Sequence, residues 1–230
     1  MKDIKNIPFL LIPYLTICGA LYHISYWETF GMNGLSIISA SDILKSSIYP
    51  ILNSFYLILP LTIGSFVANR NKIFFDEDII FKKSWQLKIF YMVWFAITIF
   101  IFYSKIEIKW QILPFIASLL PTIYLFESKI FNDVILSHSN RFSIIYVLVF
   151  VLLFSFTSGK YHSENILNNH SFKYIKIIQS PTEHIMKAKN DTLKFLGSSE
   201  LNLYFTNLNN SEILIIKNNN IDTLILIDKK

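Results

Sequence analysis

The sequence predicts an all-α membrane bundle of about five transmembrane helices, followed by a small C-terminal all-β domain. Hydrophobic residues make up 53% of the 230 residues and charged residues only 16%, whereas an ordinary soluble domain has about 25% charged residues. The apolar residues form long runs within residues 1–158, and short alternating runs replace them further on. We therefore divide the chain into a membrane domain (1–158), a juxtamembrane linker (159–171) and a soluble β domain (172–230).

Five apolar stretches have the length that a membrane-spanning helix needs, which is about 20 residues. They cover residues 7–24, 48–68, 87–103, 110–126 and 142–158. Pro114 and Pro121 interrupt the fourth stretch, but membrane helices tolerate proline where neighbouring groups satisfy the freed carbonyls. Trp27, Trp85 and Trp110 stand near the ends of stretches, so we expect them to anchor helices at headgroup depth. The lipid bilayer is thus the first expected partner.

The segment between the first two stretches contains a helix start. Ser39 and Asp42 are residue types that favour a helix N-terminus, so the second helix is predicted to begin near Asp42. Asn53, Ser54 and Thr62 lie on this proline-bearing helix. Polar side chains at membrane depth form hydrogen bonds between helices or line a pore.

The distribution of Lys and Arg predicts the orientation. If the N-terminus is cytoplasmic, nine of the twelve Lys and Arg residues within residues 1–158 lie inside and three lie in outside loops, in agreement with the positive-inside rule. An odd number of spans then places the β domain outside the cytoplasm. The abundance of Ile, Lys, Asn and Phe is typical of an AT-rich bacterial genome, so the expected location is the cell inner membrane.

Short runs of β-branched and aromatic residues predict the strands of the β domain. They cover residues 172–179, 192–196, 201–206, 212–216 and 221–227, with turn-forming residues between them. The strands predict a five-stranded meander or, because curling removes exposed edges, a small barrel.

The spacing of Leu193–Gly197, Leu203–Phe205, Ile213–Ile216 and Ile221–Leu226 resembles that of an SH3-like or Sm-like small barrel. In such folds three paired strands are followed by one helical turn and a closing strand. The resemblance covers residues 193–226 and implies a fold used mainly for binding. A fold does not by itself determine function.

Several function classes are disfavoured. The predicted spans hold no Asp, Glu, Lys or Arg away from their ends, which disfavours secondary transport. Sequence motifs for a nucleophile elbow, a zinc helix, a phosphate loop or a dinucleotide site are missing. We therefore predict no enzyme activity and no catalytic, cofactor-binding or metal-binding residue, and we interpret His162, Glu164 and His170 as linker residues.

The net charge of +5 adds a further exclusion. Residues 1–158 carry 12 Lys and Arg against 9 Asp and Glu, and the remainder carries 9 against 7. Neither part has the concentrated basic patch of a nucleic-acid-binding protein, so nucleic acid is not an expected partner.

The sequence thus favours a multi-pass membrane protein without enzyme activity whose β domain, residues 172–230, recognises a protein partner. Envelope sensing, phage defence or immunity to a membrane-active toxin fits this description. The alternative is a homo-oligomeric channel or membrane-permeabilising effector, in which Asn53, Ser54 and Thr62 face the pore axis.

The predicted orientation can be measured with reporter fusions after Lys230. We expect a reporter that works only in the cytoplasm to be inactive and one that works only outside the cytoplasm to be active. The opposite pair of results would place the β domain in the cytoplasm and contradict the predicted orientation.

Overall fold

The computed structural model describes residues 7–54, 84–104, 108–126, 128, 129, 131, 138–179, 193–210, 212–218 and 223–228. This part of the chain is mostly helical, with a small antiparallel sheet near the C-terminus. The chain forms two compact units. Unit 1 comprises Met1–Tyr22 and Ser46–Ser158, and unit 2 comprises His23–Lys45 and Gly159–Lys230. Residues 23–45 pack with the C-terminal residues in unit 2.

The helices with described bounds are α1 (Ile7–Glu28), α2 (Gly34–Ile37), α3 (residues 40–54), α4 (Ser84–Tyr103), α5 (Lys109–Ala117), α6 (Leu119–Phe126) and α7 (His138–Leu167). Helix α3 begins at residue 40, two residues before the predicted start near Asp42. The predicted linker is helical at its start, because α7 continues to Leu167.

Two described stretches are long and apolar enough to cross a membrane, Lys109–Phe126 and Arg141–Leu167. The prediction of five spans is therefore corrected to two for the described residues. Helix α1 ends in the polar residues His23, Ser25 and Glu28, which belong to unit 2. The described apolar part of α4, Met92–Tyr103, is shorter than a span. Residues 55–68 of the second predicted stretch lie outside the described residues.

An aromatic ladder on α7 organises the core of unit 1. Phe142, Tyr146, Phe150 and Phe154 recur every four residues, and the centroids of successive rings are 6.4, 5.9 and 5.6 Å apart. Phe150 is fully buried, and it belongs to the same core cluster as Cys18 from α1. Cys18 is a free cysteine, and the contact between the two helices buries it.

In the described residues the sheet of unit 2 has five strands, β1 (Lys173–Gln179), β2 (Leu193–Ser198), β3 (Asn202–Asn207), β4 (Ile213–Lys217) and β5 (Thr223–Asp228). Each overlaps a predicted strand. Their order across the sheet is β4-β3-β2-β1-β5, and all pairs are antiparallel. The first four strands form a meander, and β5 returns to lie beside β1.

The sheet curls strongly. The register shifts between Ile175 and Ile177 and between Phe195 and Gly197, and such bulges bend and twist a sheet. Leu226 on the β5 edge packs against the cluster of Leu203 and Phe205 on β3. Because neighbouring strands lie about 4.8 Å apart, a side chain separated by three strand spacings reaches this cluster only if the sheet curls. Closure into a barrel stays a prediction.

A buried lysine fixes the sheet to the end of α7 within unit 2. Lys194 of β2 has 0% exposure, and its Nζ donates to the Ile166 carbonyl at 3.2 Å and to Asn210 Oδ1 at 2.8 Å. Asn210 Nδ2 donates to the Leu167 carbonyl at 3.1 Å. The last carbonyls of a helix lack partners within the helix and favour a cation nearby. Lys194 and Asn210 therefore cap the C-terminus of α7.

We expect Lys194→Met to lower the free energy of unfolding by about 1–3 kcal/mol, because it removes the donor to Asn210 Oδ1 and the second donor to the Ile166 carbonyl, which also accepts from Asn169 N. Thermal and denaturant unfolding of the detergent-solubilised protein measures the change. The control is Lys217→Met, which removes an exposed lysine of β4 and should change stability by at most about 0.5 kcal/mol. Equal effects of the two substitutions would contradict the capping role.

Candidate functional site

The end of α1 packs on strands β2 and β3 of unit 2. Trp27 is buried, and its ring meets that of Tyr204 edge-on, with centroids 4.9 Å apart. The Tyr26 hydroxyl donates to the Leu196 carbonyl. A Cβ on Gly197 would lie 3.3 Å from Trp27 Cζ2, and the φ of Gly197 is +157°, so the close approach of the indole favours glycine here.

The start of α3 is tied to the turn between β2 and β3. Asp42 Oδ2 accepts hydrogen bonds from Ser39 N at 3.4 Å, Ser39 Oγ at 2.9 Å and Glu200 N at 3.3 Å. Ser39 Oγ accepts in return from Asp42 N at 3.2 Å. Ser39 and Asp42 thus form a reciprocal helix cap of the capping-box type, and the same carboxylate positions the turn at Glu200.

Helix α2 completes this wall of the site. Asn33 Oδ1 accepts from Leu35 N at 3.1 Å and caps the helix. Gly34 lies against α1 so closely that a Cβ would be 2.5 Å from the His23 carbonyl oxygen. The backbone of residues 33–34 therefore has a fixed position on α1 within unit 2.

A groove of about 520 Å³ lies between residues 32–39 and strands β3 and β4 of unit 2. Its size is within the range of ligand sites, about 300–1,000 Å³. The apolar lining residues are Met32, Ile37, Ile38, Leu201, Tyr204 and Ile215, and the polar ones are Asn33, Ser36, Ser39, Ser199, Glu200 and Asn202. We call this surface the unit 2 groove. An apolar centre beside hydrogen-bonding groups is typical of protein interfaces.

The chemistry available in the groove is that of contact and hydrogen bonding. Glu200 is the one carboxylate among its lining residues. In the described part of the chain no group of three or more His, Cys, Asp or Glu could hold a metal ion. The lining thus offers an apolar surface, hydroxyls, amides and one negative charge to a ligand.

The structure locates two of the three predicted tryptophan anchors. Trp27 lies inside unit 2 on Gly197 and Tyr204. Trp110 is buried in unit 1, where its ring meets Phe102 edge-on at 5.5 Å. The side chain of Trp85 lies outside the described residues. Placement of these rings at headgroup depth stays a prediction.

The structure describes two of the three polar residues predicted for the second helix, Asn53 and Ser54. Ser54 is buried and its Oγ donates to the Ile51 carbonyl at 2.7 Å, within α3 itself. Asn53 is half-buried, and Thr62 lies outside the described residues. The interhelical or pore-facing role of these three residues stays a prediction.

Sequence reasoning missed the groove because its walls come from segments far apart in the chain. The helix start at Ser39 and Asp42 was readable, but its bond to Glu200 joins residues 158 positions apart. The aromatic segment 27–35 also contains two glycines. Such glycines can indicate a close backbone contact, and Gly34 does lie tightly against α1.

No protein-family model, curated protein or solved structure matches the chain. The function is therefore argued from the geometry of the units themselves. The small-barrel resemblance stays a prediction, and a fold of that kind supports many functions.

We expect Asp42→Ala to increase the rate of amide hydrogen exchange at Glu200, because the carboxylate acceptor of that N–H is lost. Loss of the hydrogen bonds that Asp42 accepts within the capping box should also lower stability by about 0.5–1.5 kcal/mol. Hydrogen-exchange mass spectrometry and thermal unfolding measure the two effects. Lys45→Ala, an exposed position on the same helix, is the control and should leave the exchange of Glu200 unchanged; an unchanged rate in Asp42→Ala would contradict the tie.

Proposed function

We propose that this chain is a multi-pass protein of the bacterial inner membrane that binds a protein partner through unit 2 and has no catalytic activity of its own. The observation that carries the proposal is the unit 2 groove, which combines an apolar lining with hydrogen-bonding groups and one carboxylate. The proposal keeps the cytoplasmic N-terminus that the charge distribution predicts and, for an odd number of spans, places unit 2 outside the cytoplasm.

Exposed apolar side chains support the membrane location of unit 1. Helix α4 exposes Met92, Phe95, Phe100 and Tyr103, each by more than half of its surface. Large exposed apolar patches are rare on soluble monomers, and exposure to water costs about 25 cal/mol per Å² of apolar surface. Acyl chains remove this cost. Together with the two membrane-length stretches, the exposure favours contact with lipid.

The fixed walls of the groove support a role in recognition. Trp27 holds the end of α1 against Gly197, and Asp42 holds the start of α3 against Glu200. A binding surface that is already ordered loses less conformational entropy when the partner binds. Leu201, which is 71% exposed, presents apolar surface at the groove for a partner to bury.

Three kinds of role fit this arrangement of a membrane domain and a recognition unit. Envelope sensing, phage defence and immunity to a membrane-active toxin each require binding of another protein. None of them requires a reaction catalysed by this chain. The proposal therefore extends to recognition and leaves the choice among the three roles to the identity of the partner.

Site-specific photo-crosslinking in living cells tests the proposal. We expect a photoreactive phenylalanine at position 201 to form a discrete adduct with another protein, because Leu201 lines the groove. The control position is Leu208, an apolar residue in the turn after β3 that is 38% exposed. No adduct at position 201, or adducts of equal yield at both positions, would contradict binding at the groove.

A further inference from the structure

Strand β4 presents an open edge beside the unit 2 groove. In the described residues β4 pairs with β3 on one side and forms the edge of the sheet on the other. Asn218 N donates to the Leu201 carbonyl at 2.8 Å, which identifies a hydrogen-bonded position of this ladder. Because these positions alternate along an antiparallel pair, the N–H and C=O groups of Ile213, Ile215 and Lys217 point away from β3.

The edge is held in an extended form at both ends. Thr206 Oγ1 donates to the Glu212 carbonyl at 2.8 Å at the start of β4, and Asn218 is bonded to Leu201 at its end. The register of β4 on β3 continues without a shift. An added strand would therefore meet a regular row of donors and acceptors.

The side chains of β4 differ from those of a protected edge. Natural edge strands are protected by short length, lysine, proline, bulges or inward-pointing charges, and of these β4 has short length and one lysine at its end, Lys217. On β4 Leu214 is 41% and Ile215 55% exposed, and the strand contains no proline. Ile215 also lines the groove, together with its cross-strand neighbour Tyr204.

The charges at the two ends of β4 define what fits there. Glu212 precedes the strand and Lys217 ends it, and both are exposed. An antiparallel strand would place its first residue opposite Lys217 and its sixth opposite Glu212. Opposite charges directly across a strand pair are stabilising, and like charges are destabilising.

The alternation of side chains defines the remaining positions. Residues opposite Lys217, Ile215 and Ile213 share the face of the sheet on which Ile215 and Asn202 line the groove. The third and fifth residues of an added strand would therefore lie on the groove side, next to Ile215 and Ile213. Apolar side chains suit these two positions.

We propose that β4 docks an extended segment of a partner protein, which adds to the sheet as an antiparallel strand. The segment has an acidic first residue, apolar third and fifth residues and a basic sixth residue. This inference rests on the proposed function, since it specifies how unit 2 binds its partner. Main-chain hydrogen bonds supply affinity in such strand addition, and alternate side chains supply specificity.

Two fluorescent peptides of equal composition test the inference on the full chain in nanodiscs. The matched peptide is Gly-Ser-Glu-Thr-Val-Thr-Val-Lys-Gly-Ser, and the reversed peptide exchanges its Glu and Lys. Fluorescence anisotropy should show about tenfold tighter binding of the matched peptide, because reversal replaces two attractive cross-strand pairs by two repulsive ones. Equal affinities would overturn the inference.

Two variants then test the edge and the charges separately. Ile215→Pro removes an N–H that points away from β3, which an edge strand tolerates, and should weaken binding of the matched peptide at least tenfold. Leu208→Pro is the control. It replaces the second residue of the turn in which Asn210 N donates to the Asn207 carbonyl at 3.0 Å, a position that favours proline, and binding should be unchanged.

The charge-exchange variant with Glu212→Lys and Lys217→Glu should bind the reversed peptide more tightly than the matched one. It keeps the proposal testable if Ile215→Pro unfolds unit 2. Unchanged peptide preference in this variant would overturn the inference.

The outcomes separate this inference from the proposed function. If Ile215→Pro stays folded and binds the matched peptide as before, strand addition at β4 is wrong. An adduct at position 201 in the same variant would still support recognition by the groove. If Ile215→Pro reduces the mass of the nanodisc-embedded particle by whole copies of the chain, a second copy occupies the edge and the heterologous segment is wrong.

Discussion

The buried ammonium of Lys194 is the interaction on which the organisation of unit 2 depends. Burying an ammonium group away from water costs free energy unless hydrogen bonds and favourable dipoles replace its contacts with water. Here the Ile166 carbonyl, Asn210 Oδ1 and the Phe172 ring, whose centroid is 5.4 Å from Nζ, surround it. Because β2 is the central strand of the sheet, this cation fixes the middle of the sheet to the end of α7, and the other strands are positioned from there.

The position of the groove follows from that anchor. With β2 fixed, Leu196 and Gly197 receive Tyr26 and Trp27 from α1. A further hydrogen bond connects α7 to the residue that follows α1: Ser163 Oγ donates to Thr29 Oγ1 at 2.9 Å. Asp42 accepts a hydrogen bond from Glu200 N and so fixes the turn after β2. Specific polar or aromatic contacts therefore position each wall of the groove. Nonspecific hydrophobic packing alone would not fix these positions.

The sequence was most informative where structure is local. Alternating β-branched and aromatic residues located all five strands, and Ser39 with Asp42 located the start of α3. Long-range facts were not readable. Lys194 alternates with apolar neighbours as an exposed lysine of a strand would, but its amine reaches the end of a helix 28 residues earlier. Likewise, the apolar start of α1 predicted a span, whereas its last turns belong to unit 2.

The recognition chemistry of unit 2 comes from an addition to a simple sheet. A curled sheet of five short strands is a widely used scaffold, and it carries little functional information by itself. Residues 32–39 add an apolar wall and hydroxyl groups along one face of β3 and β4. The edge of β4 carries Glu212 and Lys217 at its ends, and these opposite charges favour one orientation of a bound strand. Specificity for a partner therefore depends on where this segment meets this edge, since neither element alone combines shape, hydrogen bonding and charge.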